Sequence, residues 1–359
     1  MYEVLARNLI DLDDFTLEEL DEIIALAGSI IRNPAKYADA CKGKLLATVF
    51  YEPSTRTQMS FQTAMLRLGG TIIGIDNPAG SSITKGENLK DTIKTIGGYA
   101  DIIVMRTALE GAAKAASIYS KCPIINAGDG GHLHPTQTLT DITTLSYELG
   151  RLDNMTIGLC GDLKYGRTVH SLVKCLVKYK NNKFVFISTP ELTIPDYIKQ
   201  ILDDYSCEYS FVDNLAEAIP ELDVLYMTRI QRERFETIVQ YEKQKGIFVL
   251  DAEKLAMARA DLKILHPLPR VDEITDEVDY DPRAIYFKQA KYGMYARMAL
   301  IMKMLESADD DYVPVRVDPN SECKCKNPKC VTVNEQYLPT LVKENNGKTV
   351  CQYCDKVID

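Results

Sequence analysis

The sequence has no excess of positive charge. Its 359 residues carry 42 lysines and arginines against 51 aspartates and glutamates, for a formal net charge of −9. A general nucleic-acid binder shows a basic face, so that class is set aside. Any site for an anionic substrate has to be made locally, by gathering a few arginines against the overall field. Nor is there a run of about 18–20 apolar residues of the kind a membrane helix needs. The first residues, Met1-Tyr2-Glu3-Val4-Leu5-Ala6-Arg7-Asn8, lack a basic stretch followed by an apolar one. No secretory leader is therefore expected, and the expected location is the cytoplasm, where thiols stay reduced. No Ser-His-Asp or Cys-His arrangement stands out, and there is no internal repeat of about 20–50 residues.

What is present is the composition of a globular protein, 46% hydrophobic and 26% charged, long enough for two or three domains. A helix is expected to begin within Asp14-Phe15-Thr16-Leu17-Glu18-Glu19-Leu20 and to run through Ile23, Ile24, Leu26 and Ala27, at helical spacing. From Lys44 short β-prone runs alternate with helical ones. The first set is Leu45–Phe50, Thr71–Ile75, Asp101–Met105 and Pro123–Asn126; the second is Met155–Cys160, Phe184–Ser188, Glu208–Val212, Val224–Met227 and Leu262–Leu265. This alternation predicts an α/β protein with two doubly wound parallel sheets, joined by a helix over Thr138–Leu149. A helix at Met294–Leu305 is expected to pack back on the N-terminal helices. After an acidic linker at 308–311 comes a small, β-prone, cysteine-rich module.

Five cysteines, Cys41, Cys122, Cys160, Cys175 and Cys207, are scattered through the first 310 residues and read as small buried hydrophobes. The other five lie in the last 37 residues, four of them as Cys325-x4-Cys330, a gap of 20, and Cys351-x2-Cys354. Two short thiolate pairs suit a tetrahedral structural Zn2+. Cys323, two residues upstream, is the weaker candidate.

The strand Leu45–Phe50 runs into Tyr51-Glu52-Pro53-Ser54-Thr55-Arg56-Thr57, and a helix follows with Phe61, Ala64, Met65 and Leu68 on one face and Gly69-Gly70 as its stop. Free N–H groups, three hydroxyls and one guanidinium at a helix start make a phosphate cradle without P-loop glycines. Read alone, the same turn is also an ordinary helix start.

At Phe50–Thr57 the sequence resembles the carbamoyltransferase family. Val104-Met105-Arg106, His134-Pro135-Thr136-Gln137 and His266-Pro267-Leu268-Pro269-Arg270 follow in the family's order, so the resemblance covers roughly residues 1–305. Within the family, His-Pro-Thr-Gln, His-Pro-Leu-Pro-Arg, Gly161-Asp162-Leu163-Lys164-Tyr165-Gly166-Arg167 and Met227-Thr228-Arg229-Ile230-Gln231 are of the aspartate type, not the ornithine type. The two carboxylates of aspartate call for fixed cations, which Arg167 and Arg229 can supply bidentately.

The resemblance implies transfer of a carbamoyl group from carbamoyl phosphate to L-aspartate, in de novo pyrimidine biosynthesis, with no cofactor for the chemistry. It implies a carbamoyl phosphate domain over 1–137 with the 293–307 helix, an aspartate domain over 138–292, and a zinc domain over 313–359. Ser54, Thr55, Arg56 and Thr57 would hold the phosphate; Thr57, Arg106 and His134 would face the carbonyl oxygen. Carbonyls at Pro267 and Leu268, with Pro269 fixing their loop, would receive the carbamoyl NH2. Arg167, Arg229 and Gln231, with Gln137, would bind substrate. Ser81 and Lys85 would enter a neighbouring subunit's site, making a homotrimer the smallest active form. Glu52, Arg232 and Arg234 would form salt bridges when both substrates bind. The C-terminal pattern resembles the zinc domain of the regulatory chain that accompanies some members, without its nucleotide-binding domain. Two other readings stay open: a carbamoyltransferase for another amino acid, and a catalytically silent assembly or regulatory homologue.

Overall fold

A computed structural model of the chain describes residues 8–75, 82–232, 235, 237–306, 324–345 and 347–358. Two compact units result, one from the described residues up to Thr136 and from Met294 onward, the other from Gln137–Gly293. The first contains strands β1 (Leu45–Phe50), β2 (Thr71–Ile75), β3 (Ile102–Thr107) and β4 (Ile124–Asp129), with helices α1 (Leu17–Arg32), α2 (Thr55–Arg67), α3 (Leu89–Ile96) and α4 (Ala112–Tyr119). α5 (Pro135–Leu149) opens three residues before its expected start. The second unit contains β5 (Thr156–Cys160), β6 (Lys183–Ile187), β7 (Glu208–Val212), β8 (Val224–Met227) and β9 (Lys263–Leu265). Its further helices are α6 (Arg167–Leu176), α7 (Asp196–Asp204), α8 (Leu215–Ala218), α9 (Ile238–Gln244) and α10 (Ala252–Ala256). α11 (Tyr286–Glu306), α12 (Val331–Asn334) and strands β10 (Val342–Asn345) and β11 (Lys348–Cys351) complete the chain.

Both larger sheets are wholly parallel, in the orders β2-β1-β3-β4 and β7-β6-β5-β8-β9. The two-domain α/β architecture expected from the alternation is the one observed. In a parallel sheet covered on both faces the inner strands are apolar throughout. Accordingly the inner strands β1 and β3 are buried almost throughout, whereas β2, at one edge, is mostly exposed; β4, at the other edge, is buried because Leu9 bonds to its free side. In each sheet the winding direction reverses once, between β1 and β3 and between β5 and β8. Ligands of open α/β sheets bind beyond the carboxyl ends of the strands at such reversals.

Local chemistry sets the element ends. The Thr16 hydroxyl accepts from Glu19 N at 3.2 Å, and Glu19 Oε2 accepts from Thr16 N at 2.8 Å, so Thr16 caps α1. Asp14, the earlier acid in that segment, closes a short turn by accepting from Ile10 N and Asp11 N. Residues 294–306 of α11 pack within the first unit: Arg297 Nη1 donates to Ser60 Oγ at 2.9 Å and stacks over Phe61, and Lys303 pairs with Glu22 at 2.9 Å. Among the described residues no helix is long and apolar enough to cross a membrane.

Just past the end of α2 stands Gly69, whose φ is +80° and where a Cβ would stand 2.4 Å from the Ala38 carbonyl oxygen. Left-handed backbone and close approach together require glycine there. Gly69→Ala should therefore destabilise the chain by about 1–3 kcal/mol, seen as a lower urea midpoint than wild type.

Candidate active site

β1 hands the chain to Tyr51–Ser54 and then to the start of α2. Helix starts normally recruit a side-chain acceptor or an acid. α2 has neither: Ser54 stands at the cap position without a side-chain cap bond, and no acid lies in the first turn. The amides and positive dipole end of the helix are thus left for an external anion. Thr55 and Arg56 are exposed and Thr57 is buried. Arg56 has no hydrogen-bond or ion-pair partner among the described residues.

Across the sheet reversal, Arg106 near the end of β3 is only 7% exposed. Its Nη2 donates to Glu52 Oε1 at 2.8 Å, and its Nη1 donates to the Ala127 carbonyl at 3.2 Å and lies 3.3 Å from His134 Nε2. A guanidinium only donates, so His134 Nε2 is the acceptor of that contact. Gly128, with φ +124°, makes room: a Cβ there would come within 2.8 Å of Arg106 Nη1. Glu52 thus meets Arg106, its observed partner.

His134 is delivered by the turn after β4. Asp129 organises that turn, accepting from Leu133 N at 2.8 Å with Oδ1 and from Gly111 N at 2.8 Å with Oδ2. His132 stands between Asp129 Oδ2 and Asp355 Oδ2, 2.9 Å from each. Burial works against its charge, but hydrogen bonds and attraction from the two carboxylates outweigh burial and push its pKa up to about 10. Lys85 is exposed in a turn before α3, without a partner among the described residues. Ser81 and Arg234 lie outside the described residues.

In the second unit the same logic gathers polar side chains after β5 and β8. Asp162, fully buried behind β5, accepts from Tyr165 N at 3.0 Å and from Gln231 Nε2 at 3.4 Å. Arg167 is the first residue of α6, and Arg229 follows β8 by two residues; both are half-buried. Gln137 donates to Asp141 Oδ1 at 2.8 Å. In the loop after β9, the Leu268-Pro269 peptide is cis and Leu268 has φ +53°. Leu268 N donates to His266 Nδ1 at 2.8 Å, so the ring proton sits on Nε2 and is shared with Glu273 Oε1 at 2.7 Å. The Pro267 and Leu268 carbonyls accept no hydrogen bond among the described residues.

Two family models match the chain: "Aspartate/ornithine carbamoyltransferase, carbamoyl-P binding domain" over residues 7–147, and "Asp/Orn binding domain" over residues 153–304. The chain belongs to this family. Among curated members, the aspartate carbamoyltransferase catalytic subunit of Clostridium perfringens is 60% identical over 303 residues, 84% of this chain and 99% of that one. That of Clostridium botulinum is 59% identical over 300 residues, 83% and 98% of the two chains. Among solved structures, the catalytic subunit of M. jannaschii aspartate transcarbamoylase superposes with a TM-score of 0.79 at 48% identity, over 84% of this chain and 98% of that one. The Trypanosoma cruzi enzyme, solved with N-(phosphonacetyl)-L-aspartic acid, gives 0.78 at 36% identity, over 84% and 97%.

The carbamoyltransferase models end before residue 305, but the chain's four clustered cysteines lie beyond them. Cys330, Cys351 and Cys354 are buried and Cys325 partly so. Their sulfurs all lie within 4.8 Å of one another, with Cys325 and Cys354 at 3.6 Å and Cys330 and Cys351 at 3.9 Å. These are not disulfide distances; the four thiols form a cluster able to hold a metal ion.

Reading the sequence did not single out Asp129 in the first unit, or Asp141, Asp162 and Gln289 in the second, as residues that order the candidate site residues of their own unit. Gln289 takes His266 N at 2.9 Å and donates to Asp141. Each stands in a stretch of mixed polarity, such as Thr140-Asp141 or Lys288-Gln289, and nothing local distinguishes it from a surface position. Glu273 is also in this group. Burial raises its pKa, but the hydrogen bond from His266, with backbone N–H donors, brings it below the ordinary 4.5. Its stabilising contribution is therefore present above about pH 4.5 and is lost as the pH falls through the lower folded-state value. Glu273→Gln should flatten the fall in urea midpoint that wild type shows between about pH 5 and pH 3.

Proposed function

We propose that the chain is an aspartate carbamoyltransferase that makes N-carbamoyl-L-aspartate and phosphate for pyrimidine biosynthesis. One observation carries the reading: the buried Arg106 and His134 side chains converge 3.3 Å apart near the end of β3, across the sheet reversal from the uncapped start of α2. Such a pair suits a carbonyl oxygen that gains negative charge.

The phosphate of carbamoyl phosphate would be held by Ser54, Thr55, Arg56 and Thr57, with Arg56 as its main countercharge. Thr57, Arg106 and His134 would address the carbonyl oxygen. That oxygen takes the place of His134 Nε2 as the acceptor for Arg106, so His134 must carry its proton on Nε2 to donate as well. Arg167, Arg229 and Gln231 would orient the aspartate carboxylates, with Gln137 also on the substrate. The free carbonyls of Pro267 and Leu268 offer acceptors for substrate N–H. The amine lone pair attacks the carbonyl carbon, the C–O bond to phosphate breaks, and the departing phosphate takes the amine proton. No cofactor is needed; positioning and fixed donors supply the acceleration. Purified chain should convert the two substrates to carbamoyl aspartate but leave ornithine untouched, and Arg106→Ala should cut kcat about 100- to 1000-fold. Absence of product would favour the silent-homologue reading.

We further read the active form as a trimer with shared sites. Met59 and Leu66, seven residues apart on α2, and Ile73 on the edge strand β2 are exposed apolar groups, the kind of edge a second copy covers. The exposed Lys85 would act in a neighbour's site. Mixed trimers of Lys85→Ala and Arg56→Ala chains should recover activity that neither parent has; well-mixed trimers without recovery would rule out sharing.

The cysteine cluster is read as a zinc site in a fused domain of the regulatory-chain type. Zinc–sulfur bonds of about 2.3 Å put tetrahedral sulfurs about 3.8 Å apart, matching the observed 3.6 and 3.9 Å. Four thiolates leave no open position, so the metal would be structural, and a reducing cytoplasm suits such a site.

A further inference from the structure

The C-terminal segment reaches the turn that presents His134. Asp355 directly follows Cys354, donates its N–H to the Cys351 carbonyl at 2.9 Å, and so belongs to the same knuckle as two of the four thiols. Its Oδ1 lies 2.7 Å from Lys343 Nζ, and its Oδ2 lies 2.9 Å from His132 Nε2. His132 Nδ1 lies 2.9 Å from Asp129 Oδ2, and Asp129 Oδ1 accepts from the N–H of Leu133, the residue before His134. Both ring nitrogens of His132 thus face carboxylate oxygens, which only accept, so the ring donates at each end. On the other flank, Glu335 and Tyr337 accept from the Leu89 and Lys90 amides at 3.1 and 2.8 Å, capping α3 just after the turn that carries Lys85.

We propose that His132 is a positioning residue for carbamoyl transfer: through Asp355 it ties the turn that aims His134 to the four-cysteine segment of its own chain. The proposal rests on the reading of His134 as a contact of the carbamoyl carbonyl. Asp129 closes the turn from within, and Gly130 N, on the Thr107 carbonyl at 2.8 Å, ties its base to β3. The His132 bridge adds an anchor at the His134 end of the turn, and that anchor is fixed only when the thiol knuckle is folded. Misplacement of a reacting group by about 1 Å is enough to cost about 100-fold in rate.

The test uses the full-length, zinc-loaded chain and the variants His132→Ala, Asp355→Ala and the double variant. Expected are a kcat lowered about tenfold or more, weaker carbamoyl phosphate binding by calorimetry, inorganic phosphate binding within about twofold of wild type, and unchanged zinc content per chain. The phosphate turn does not depend on His134, which is why the two ligands should separate. The double variant should be no worse than either single one, because both break one bridge. Wild-type kinetics in His132→Ala, additive losses in the double variant, or equal loss of phosphate and carbamoyl phosphate binding would each overturn the proposal. A wild-type chain that binds phosphate but not carbamoyl phosphate would overturn the functional reading, and this proposal with it. If Asp355→Ala loses zinc, Asp355→Asn, which keeps the shape but not the charge, replaces it under the same criteria.

Discussion

A buried guanidinium at the end of β3 is the constraint from which the first unit's site follows. Taking a full charge out of water is expensive unless it is paired and hydrogen-bonded. Arg106 meets that demand with Glu52 and the Ala127 carbonyl, and its own carbonyl accepts Tyr51 N at 2.8 Å. Side chain and backbone of one residue therefore fix the segment that leads into Ser54–Thr57. The same guanidinium leaves Nη1 facing His134, and the backbone opposite must be glycine at Gly128 to admit it. Neutralising the charge, fixing the segment before α2 and facing His134 are one arrangement.

The buried acids of this negatively charged chain serve neighbouring hydrogen-bond donors. Asp129 holds the turn before His134; Asp141 accepts from Gln137, Tyr226 and Gln289; Asp162 accepts from Gln231. In the second unit Asp141 thereby links the first turn of α5, strand β8 and, through Gln289, the loop after β9. Each carboxylate is an acceptor with room for several donors, so one buried acid can register several elements at once.

The parallel sheets and their helices were legible because period and composition report burial directly. All nine strands of the two large sheets were readable from short apolar runs, and motifs at strand ends marked the candidate site because open α/β sheets bind ligands there. The details that failed to show were those decided by competition between equivalent residues. Asp14 and Thr16 could both begin α1, and geometry gave the cap to Thr16 because Glu19 lies three residues on. The expected third strand began one residue early at Asp101, whose carboxylate instead holds Leu45 N at 2.8 Å. Buried acids such as Asp129 and Asp141 were invisible because their role depends on donors far away in sequence.

Docking of the C-terminal segment on the first unit was illegible for a further reason: much of it is backbone. Glu110 N donates to the Lys329 carbonyl and Val331 N to the Glu110 carbonyl, at 2.8 and 2.9 Å, contacts that no side-chain pattern encodes. The segment has too little apolar surface for a core of its own. It completes one with α4, where Ala112, Ala113 and Ala116 are small enough to admit Val331, Leu338 and Tyr353. Gly111 meets the same demand, since a Cβ there would stand 2.4 Å from the Tyr353 carbonyl oxygen. A segment that borrows its core in this way cannot fold independently of the sheet it covers. Its thiol cluster and its core must therefore form together, and its hold on the turn before His134 exists only once they have.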